Sequence, residues 1–208
     1  MRIEIIVLAA GSSQRFGAAN KLLAQFEGEA LVVRAVRQVS RVRVIGHEIG
    51  ISVVVNGADG GVGDAIVAAG MGSRTRIVGN DRADEGMGTS VAAGIASLAG
   101  DVDAAVIVPG DMPFISAGVI EALIGAFVGD GGMRPAHPVL VDGAQANPVM
   151  WPRGYFAGLA ALDADRGGKG LLAGQSCCTI MLSDPRQAAD IDTPADLMML
   201  QTVGKLAE

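Results

Sequence analysis

The residues with the most chemical promise lie in "VLAAGSSQRFGAANKLL", Val7 to Leu23, where an apolar run gives way to glycine, hydroxyl and cationic side chains. Successive backbone N–H groups in a glycine-containing turn form a concave nest for an anion. Arg15 and Lys21, set beside Gly11 and Gly17, add formal positive charge to that nest. Phosphate groups suit such a loop, whereas a merely solvated turn needs the glycines but not two cations. The stretch is neither of the common phosphate motifs. No G-x-G-x-x-G follows the run, and no G-x-x-x-x-G-K-[ST] occurs in the chain.

Three further stretches carry polar residues just after apolar ones. In "NDRADEGMGTS", headed by Asn80, Gly86 and Gly88 flank Met87. A flat ring can approach such a backbone closely, with Met87 packing beside it. The same residues also read as a flexible entry to a capped helix. In "VIVPGDMPF", Asp111 follows an apolar run and a Pro-Gly turn. A carboxylate there can hold Mg²⁺ against phosphates, or it can close a local turn. In "ADIDTPADL", Asp190 and Asp192 alternate along an extended segment, and Thr193-Pro194 opens a helix as cap and first residue. Asp192 is then either a turn residue or the second carboxylate of a metal site, and pairing it with Asp111 requires a tertiary contact.

The elements that must position these residues follow from periodicity. "IEIIVLAA", "ISVVVNG", "RIVGN" and "DAAVIVPGD" are short runs ending in glycine or polar residues, the pattern of strands buried on both faces of a parallel sheet. "ALVVRAVRQV" spaces Leu31, Val32, Ala35, Val36 and Val39 as one face of a helix, with Arg34 and Arg37 on the other. "GTSVAAGIASLAG" predicts a helix opened by Thr89 or Ser90 and closed by Gly100, and "SAGVIEALIGAFVG" another capped by Ser116. An alanine-rich segment runs from Asp64 to Ala69, and Gly129 to Asn147 reads as loop plus a hairpin arm. Alternating strands and helices argue for an α/β fold with helices on both faces of a mostly parallel sheet. Ligands of such sheets sit outside the carboxyl ends of the strands. The four polar stretches are expected to converge there.

Composition agrees. The 208 residues are half apolar with only 3% aromatics, and are expected to form one domain, residues 1–208. A net charge of −6 argues against a nucleic-acid partner, though a local cationic cluster can still hold a small anion. No uninterrupted apolar run approaches the roughly 18 residues of a membrane span, and the chain is expected to be cytoplasmic with no membrane partner. Cys177 and Cys178 are adjacent and cannot staple a fold; buried positions in a strand are expected for both. His47 and His137 adjoin no site stretch and read as surface or structural residues.

Taken in order, "LAAGSSQRFG" with "NKLL", "EGMGTSVAAGI", "VPGDMPF", "NPVMWPR" and "DIDTPADL" resemble the MobA-like nucleotidyltransferases, nearest the branch that attaches CMP to molybdopterin. The resemblance implies a Rossmann-like three-layer α/β/α fold and a Mg²⁺-dependent transfer of CMP from CTP to the terminal phosphate of molybdopterin. It places the nucleotide on Leu8, Ala9, Ala10, Gly11, Ser12 and Ser13, with Arg15 and Lys21 at the phosphates. Asn80, Gly86, Met87, Gly88 and Ser90 belong near the base, Asn147 in the acceptor pocket, and Asp111 with Asp192 on the metal. A molybdoenzyme or chaperone is an implied partner. "LAAG", where guanylyl-transferring relatives have "LAGG", leans towards CTP. Three features depart from the family pattern, the first being Asn147, which stands where some cytidylyltransferases have histidine. Lys169 in "ALDADRGGKGLL" stands where arginine is common, keeping the charge and losing the bidentate fork. The run "RVRVIGHEIGISVVVNG" is longer than the family leads one to expect. Transfer with GTP or to a phosphorylated sugar, and a nucleotide-binding accessory role without turnover, are the alternatives.

Overall fold

The computed structural model describes residues 1–11, 16–17, 20–58, 61–164 and 167–205. Among these residues the strands are β1 (Arg2–Ala9), β2 (Gln25–Phe26), β3 (Glu29–Ala30), β4 (Glu48–Asn56), β5 (Arg76–Asn80), β6 (Ala104–Pro109), β7 (Ala136–Val139), β8 (Val149–Pro152) and β9 (Cys178–Met181). The helices are α1 (Leu31–Val39), α2 (Gly61–Ala68), α3 (Met87–Ala96), α4 (Ala117–Gly129), α5 (Phe156–Ala160), α6 (Lys169–Leu172) and α7 (Pro194–Lys205). Seven strands form one sheet in the order β5-β4-β1-β6-β8-β7-β9, while β2 and β3 pair as a separate small hairpin. Only β8 runs against the rest of the sheet.

β1 lies at the middle of the parallel half because it is apolar on both sides. Alternate residues of a strand face opposite ways. Ile3, Ile5, Val7 and Ala9 join Val32 and Val36 of α1, Ile66 of α2 and Leu123 of α4 in one core. Ile6 joins Val91 and Ile95 of α3 and Leu159 of α5 in a second core on the other face. The expected layering of helix, sheet and helix is therefore present. α3 lies close against the sheet because Gly94 has no side chain. A methyl group there would stand 2.7 Å from Ile6 Cγ2 and 3.2 Å from Val54 Cγ2. The one charge within β1, Glu4, is 7% exposed. It is matched by the hydroxyl of Ser52 and by Arg76, whose Nη2 lies 3.2 Å from Oε1.

Several elements differ from the sequence expectation. α3 starts at Met87, ahead of Thr89 and Ser90, and is capped by Ser97, so Gly100 does not close it. Gly86 is its N-cap at φ 126° and ψ 173°, a conformation open only to glycine. Within 129–147 lies β7, an interior strand of the main sheet in addition to the Val139–Gln145 bridge of a hairpin arm. The long run before the second strand resolves into a turn and an early start of β4 at Glu48. Cys178 opens the edge strand β9, Cys177 precedes it, and both are half-buried where burial was expected. Ser116 caps α4 as expected, its hydroxyl accepting from the Val119 N–H.

Candidate active site

The parallel register brings the strand ends to one edge. Leu8 of β1 stands opposite Pro109 of β6, Ala9 opposite Val55 of β4, and Asn56 opposite Asn80 of β5. β8 runs the other way with Val149 opposite Ile107, so Asn147, just ahead of it, lies beside the end of β6. At about 4.8 Å per strand spacing, the ends of β5 and β6 are roughly 14 Å apart.

Lys21 sits at the centre of this edge. Asn20 caps a single 3₁₀ turn over Lys21–Leu23, its side-chain oxygen accepting from the Leu22 N–H at 3.0 Å. Leu22 is 3% exposed and pins the turn to the core, which directs the neighbouring lysine outward along the edge. Lys21 Nζ donates to Asp111 Oδ2 at 2.6 Å and to Asp192 Oδ1 at 3.0 Å. The carboxylate pairing that the sequence could only pose as a question is thus made, with the lysine between.

Each aspartate is held by its backbone. Asp111 follows Gly110, whose N–H donates to the Leu8 carbonyl at 2.9 Å; a methyl group at Gly110 would meet that same oxygen at 2.9 Å, so only glycine lets the chain turn so tightly past β1. The Asp111 carbonyl accepts from the Ile191 N–H at 3.1 Å, which ties the two carboxylate-bearing segments directly. Ile191 is fully buried with Phe26, Leu31 and Leu200, and Phe114 packs on this small third core. Asp192 precedes a reciprocal cap: the Thr193 N–H donates to Asp196 Oδ2 at 2.8 Å, and the Asp196 N–H donates to Thr193 Oγ1 at 3.2 Å. Pro194 follows as the first residue of α7.

The electrostatics follow from this geometry. Burial alone would lower the Lys21 pKa, but Asp111 and then Asp192 more than offset it, so the ammonium is held above its ordinary value. Asp190 remains open to solvent on one side. Partial burial first, and then the charges of Asp111 and Asp192, hold its carboxyl above the usual carboxylate range. Asp111 Oδ1 is buried with no hydrogen-bond partner among the described residues. An orphaned carboxylate oxygen beside a second carboxylate fits a divalent cation. Among the described residues no group of three or more His, Cys, Asp or Glu side chains could hold a metal. A pair suffices for Mg²⁺, which keeps several waters and is bound by one or two carboxylates plus substrate phosphates.

The second cluster lies at the end of β5. Asn80 Nδ2 donates to Thr89 Oγ1 and to Ser90 Oγ, each at 3.0 Å, while its Oδ1 accepts from the Arg82 N–H. Asn80 and Ser90 are both 5% exposed, so they bond to each other and fix the entry of α3. The Gly88 N–H donates to the Ala164 carbonyl at 2.8 Å. Met87 is 58% exposed and its sulfur lies beside Gly167. Of the four residues Gly86, Met87, Gly88 and Ser90, Met87 is exposed and Gly86 half-buried, while Gly88 and Ser90 are buried.

Leu8 and Ala9 end β1 and Ala10 follows it; both alanines are buried, and Gly11 is exposed. Ser12, Ser13 and Arg15 lie outside the described residues. Asn147 is half-buried and Lys169, at the start of α6, is exposed. His47 lies at the opposite edge, where a cavity of about 570 Å³ is lined by Ser40, Arg43, His47, Ile49, Ile51 and Arg74. That cavity holds none of the carboxylates or the lysine of the strand-end cluster. His137 is half-buried in β7 against the Pro138 carbonyl.

Sequence reasoning did not single out Asn20, Asp196 or Arg34. Asn20 and Asp196 had local signals, a cap residue before a turn and an acid three places after Thr193. Arg34 had none: its place on the polar face of α1 pointed to solvent, yet its Nε donates to the Pro113 carbonyl at 2.7 Å.

A family model for the MobA-like NTP transferase domain matches residues 5–179. Among curated proteins none matches the chain in sequence. Among solved structures, Rv0371c from Mycobacterium tuberculosis H37Rv superposes with a TM-score of 0.80 at 20% identity, covering 96% of this chain and 97% of that one. The manganese complex of the same protein gives 0.76 at 19%, covering 97% and 99%. The molybdopterin-guanine dinucleotide biosynthesis protein A of Archaeoglobus fulgidus gives 0.70 at 14%, covering 98% and 99%. At these identities the likeness is one of fold.

Proposed function

The chain belongs to the MobA-like NTP transferase domain family, and from that premise we propose that it is a Mg²⁺-dependent nucleotidyltransferase that moves CMP from CTP to the terminal phosphate of molybdopterin. The observation that carries this reading is the Lys21–Asp111–Asp192 cluster at the carboxyl edge of the sheet, with the buried, unpartnered Asp111 Oδ1.

In this reading an oxygen of the acceptor's terminal phosphate attacks the α-phosphorus of the nucleotide in line. A new phosphoanhydride bond forms, the bond from the α-phosphorus to the bridging oxygen breaks, and pyrophosphate leaves with that oxygen and the electron pair. The acceptor phosphate is already ionised at neutral pH, so no general base is required. That accords with the absence of a histidine from the cluster. Asp111 and Asp192 would hold the metal ion, which neutralises charge on the phosphates. Lys21 supplies a fixed positive charge to the phosphate oxygens, and positioning with charge neutralisation is most of what such a transfer asks of a protein. In this reading Gly86 and Met87 would meet the base, with Asn80 and Ser90 holding that loop, and Asn147 would serve the acceptor. Ser12, Ser13 and Arg15 would add their hydroxyls and positive charge at the phosphates.

The test is pyrophosphate release with molybdopterin and Mg²⁺, with CTP, GTP and ATP compared side by side. Release with CTP alone is the expected result. Release with GTP alone keeps the family and overturns the base assignment. Release with none of the three overturns the acceptor.

A further inference from the structure

α1 carries two arginines that look equivalent in sequence, Arg34 and Arg37, and each is paired with a glutamate of the β2–β3 hairpin. Arg37 bonds to Glu29 through Nε at 2.7 Å, and its side chain is 43% exposed. Arg34 is 23% exposed, and its Nη1 lies 2.7 Å from Glu27 Oε2. The two differ in what else they reach. Arg34 Nε donates to the carbonyl of Pro113 at 2.7 Å, and its Cζ lies 5.1 Å from the centre of the Phe26 ring. Phe26 in turn meets Phe114 edge-on, centroids 5.4 Å apart, and Arg186 covers Phe114 at 5.6 Å. The loop that leaves β6 is thereby held at a backbone carbonyl and at a ring, both within three residues of Asp111.

Glu27 adds a second sign that this corner is constrained. Its φ is 52°, in the left-handed region that a residue with a side chain enters at some cost. Glu27 and Gly28, at φ 52° and 82°, make the two-residue turn of the hairpin, and from it the Glu27 carboxylate reaches Arg34. A guanidinium has the planar set of donors to serve Glu27 and Pro113 together, which a lysine ammonium cannot match.

We propose that Arg34 is a positioning residue of the nucleotidyl-transfer site: by holding the Pro113 carbonyl, the Phe26 ring and Glu27 together, it fixes the loop that carries Asp111 against Lys21 and Asp192. The inference rests on the transfer reading above. Arg34 touches no reacting atom; it acts through the placement of the Asp111 carboxylate, whose free oxygen is the one left for the metal.

Groups that orient a metal-bearing side chain typically cost 10–100-fold in metal affinity or activity when removed. The experiment compares wild type, Arg34→Met, Arg34→Lys and Arg37→Met. It measures kcat and KM for CTP in pyrophosphate release, and Mn²⁺ affinity by electron paramagnetic resonance with CTP present. All are read at a temperature where circular dichroism shows each protein folded. Arg34→Met is expected to lose about tenfold in kcat and about tenfold in Mn²⁺ affinity, with KM for CTP within about twofold. Arg34→Lys should recover only part of this, and Arg37→Met should match wild type in all three. Equal losses in Arg34→Met and Arg37→Met would reduce Arg34 to a strut of the hairpin and overturn the proposal, as would an unchanged Arg34→Met. If Arg34→Met does not fold, Arg34→Lys decides: a fall in kcat and Mn²⁺ affinity without a change in KM supports the proposal, and wild-type behaviour overturns it. Wild type that neither releases pyrophosphate nor binds Mn²⁺ with CTP defeats the transfer reading itself, and Arg34's role with it.

Discussion

Lys21 bonds to Asp111 Oδ2 and Asp192 Oδ1, so its ammonium and a metal ion on the free Asp111 oxygen and Asp192 draw on the same two carboxylates. Lys21→Met removes the charge and keeps much of the stem. Exposed ion pairs are worth about 0–1 kcal/mol, while removing one partner of a fully buried pair costs about 3–5 kcal/mol. The Lys21 and Asp111 side chains are 13% and 17% exposed and Asp192 is 31% exposed, so the pair lies between those limits. A loss of about 2 kcal/mol is expected, which lowers Tm by about 4–8 °C in a chain of this size. The Lys21 pKa is raised in the fold, so this contribution is fully present at neutral pH. It should fade only as pH climbs past the unfolded value of about 10.4 and through the higher folded one.

The same free energy reappears as metal affinity. With no ammonium between them, the carboxylates should bind Mn²⁺ in the absence of nucleotide more tightly than wild type, and about 2 kcal/mol corresponds to roughly 30-fold in Kd. Mn²⁺ should also raise the Tm of Lys21→Met by more than it raises that of wild type. Turnover moves the opposite way, because losing a charge aimed at the reacting phosphates costs about 10²–10³-fold in kcat. Mn²⁺ titration of the nucleotide-free proteins is the deciding assay. An unchanged or weaker affinity in a folded Lys21→Met would show that lysine and metal do not draw on the same two carboxylates, and the argument would fail.

Four further outcomes follow from the same structure. Asp192→Asn should abolish Mn²⁺ binding with CTP while Asp190→Asn retains it, since Lys21 bonds to Asp192; loss in both would make Asp190 a ligand. Because the Asp190 pKa is raised in the fold, its ionised form costs stability at neutral pH. Asp190→Asn should therefore raise Tm at pH 7, and the gain should shrink as pH falls below the ordinary carboxylate range, as a Tm series against pH would record. Gly94→Ala places a methyl 2.7 Å from Ile6 and should cost about 1–3 kcal/mol in urea unfolding; a smaller cost would mean that α3 moves off the sheet readily. Burial, and then the neighbouring Asp130 carboxylate, push the Cys178 thiol up to about 11. At pH 8 it should be roughly 0.1% thiolate, against about a quarter for an ordinary cysteine. Iodoacetamide should therefore label it roughly two-hundredfold more slowly than an ordinary exposed cysteine, with the rate climbing only towards pH 11.

What the sequence made legible was whatever depended on near neighbours. β1, β6 and α4 could be read because a period of two or of 3.6 is written in consecutive residues, and Ser116 and Thr193 because a cap acts within three positions. β7 escaped notice because Pro138 argues against an interior strand; it is tolerated there because β7 meets β8 only at Ala136–Met150 and is carried chiefly by β9. The start of α3 was misplaced because its cap is a glycine, whose backbone angles leave no mark in composition.

The site divides along the same line. Lys21, Asp111 and Asp192 could each be suspected singly, since a charged residue after an apolar strand stands out. Their meeting spans 90 and 171 residues of chain and could not be read. The residues that enforce the meeting are the least conspicuous of all. Phe26, Ile191 and Phe114 look like any apolar residue, and Arg34 like any arginine on a wet helix face, until the third core is seen to gather the lysine turn, the Asp111 loop and the start of α7 onto one another. The chemistry of this protein is written in residue types at strand ends; its precision depends on a few ordinary side chains that only the fold brings together.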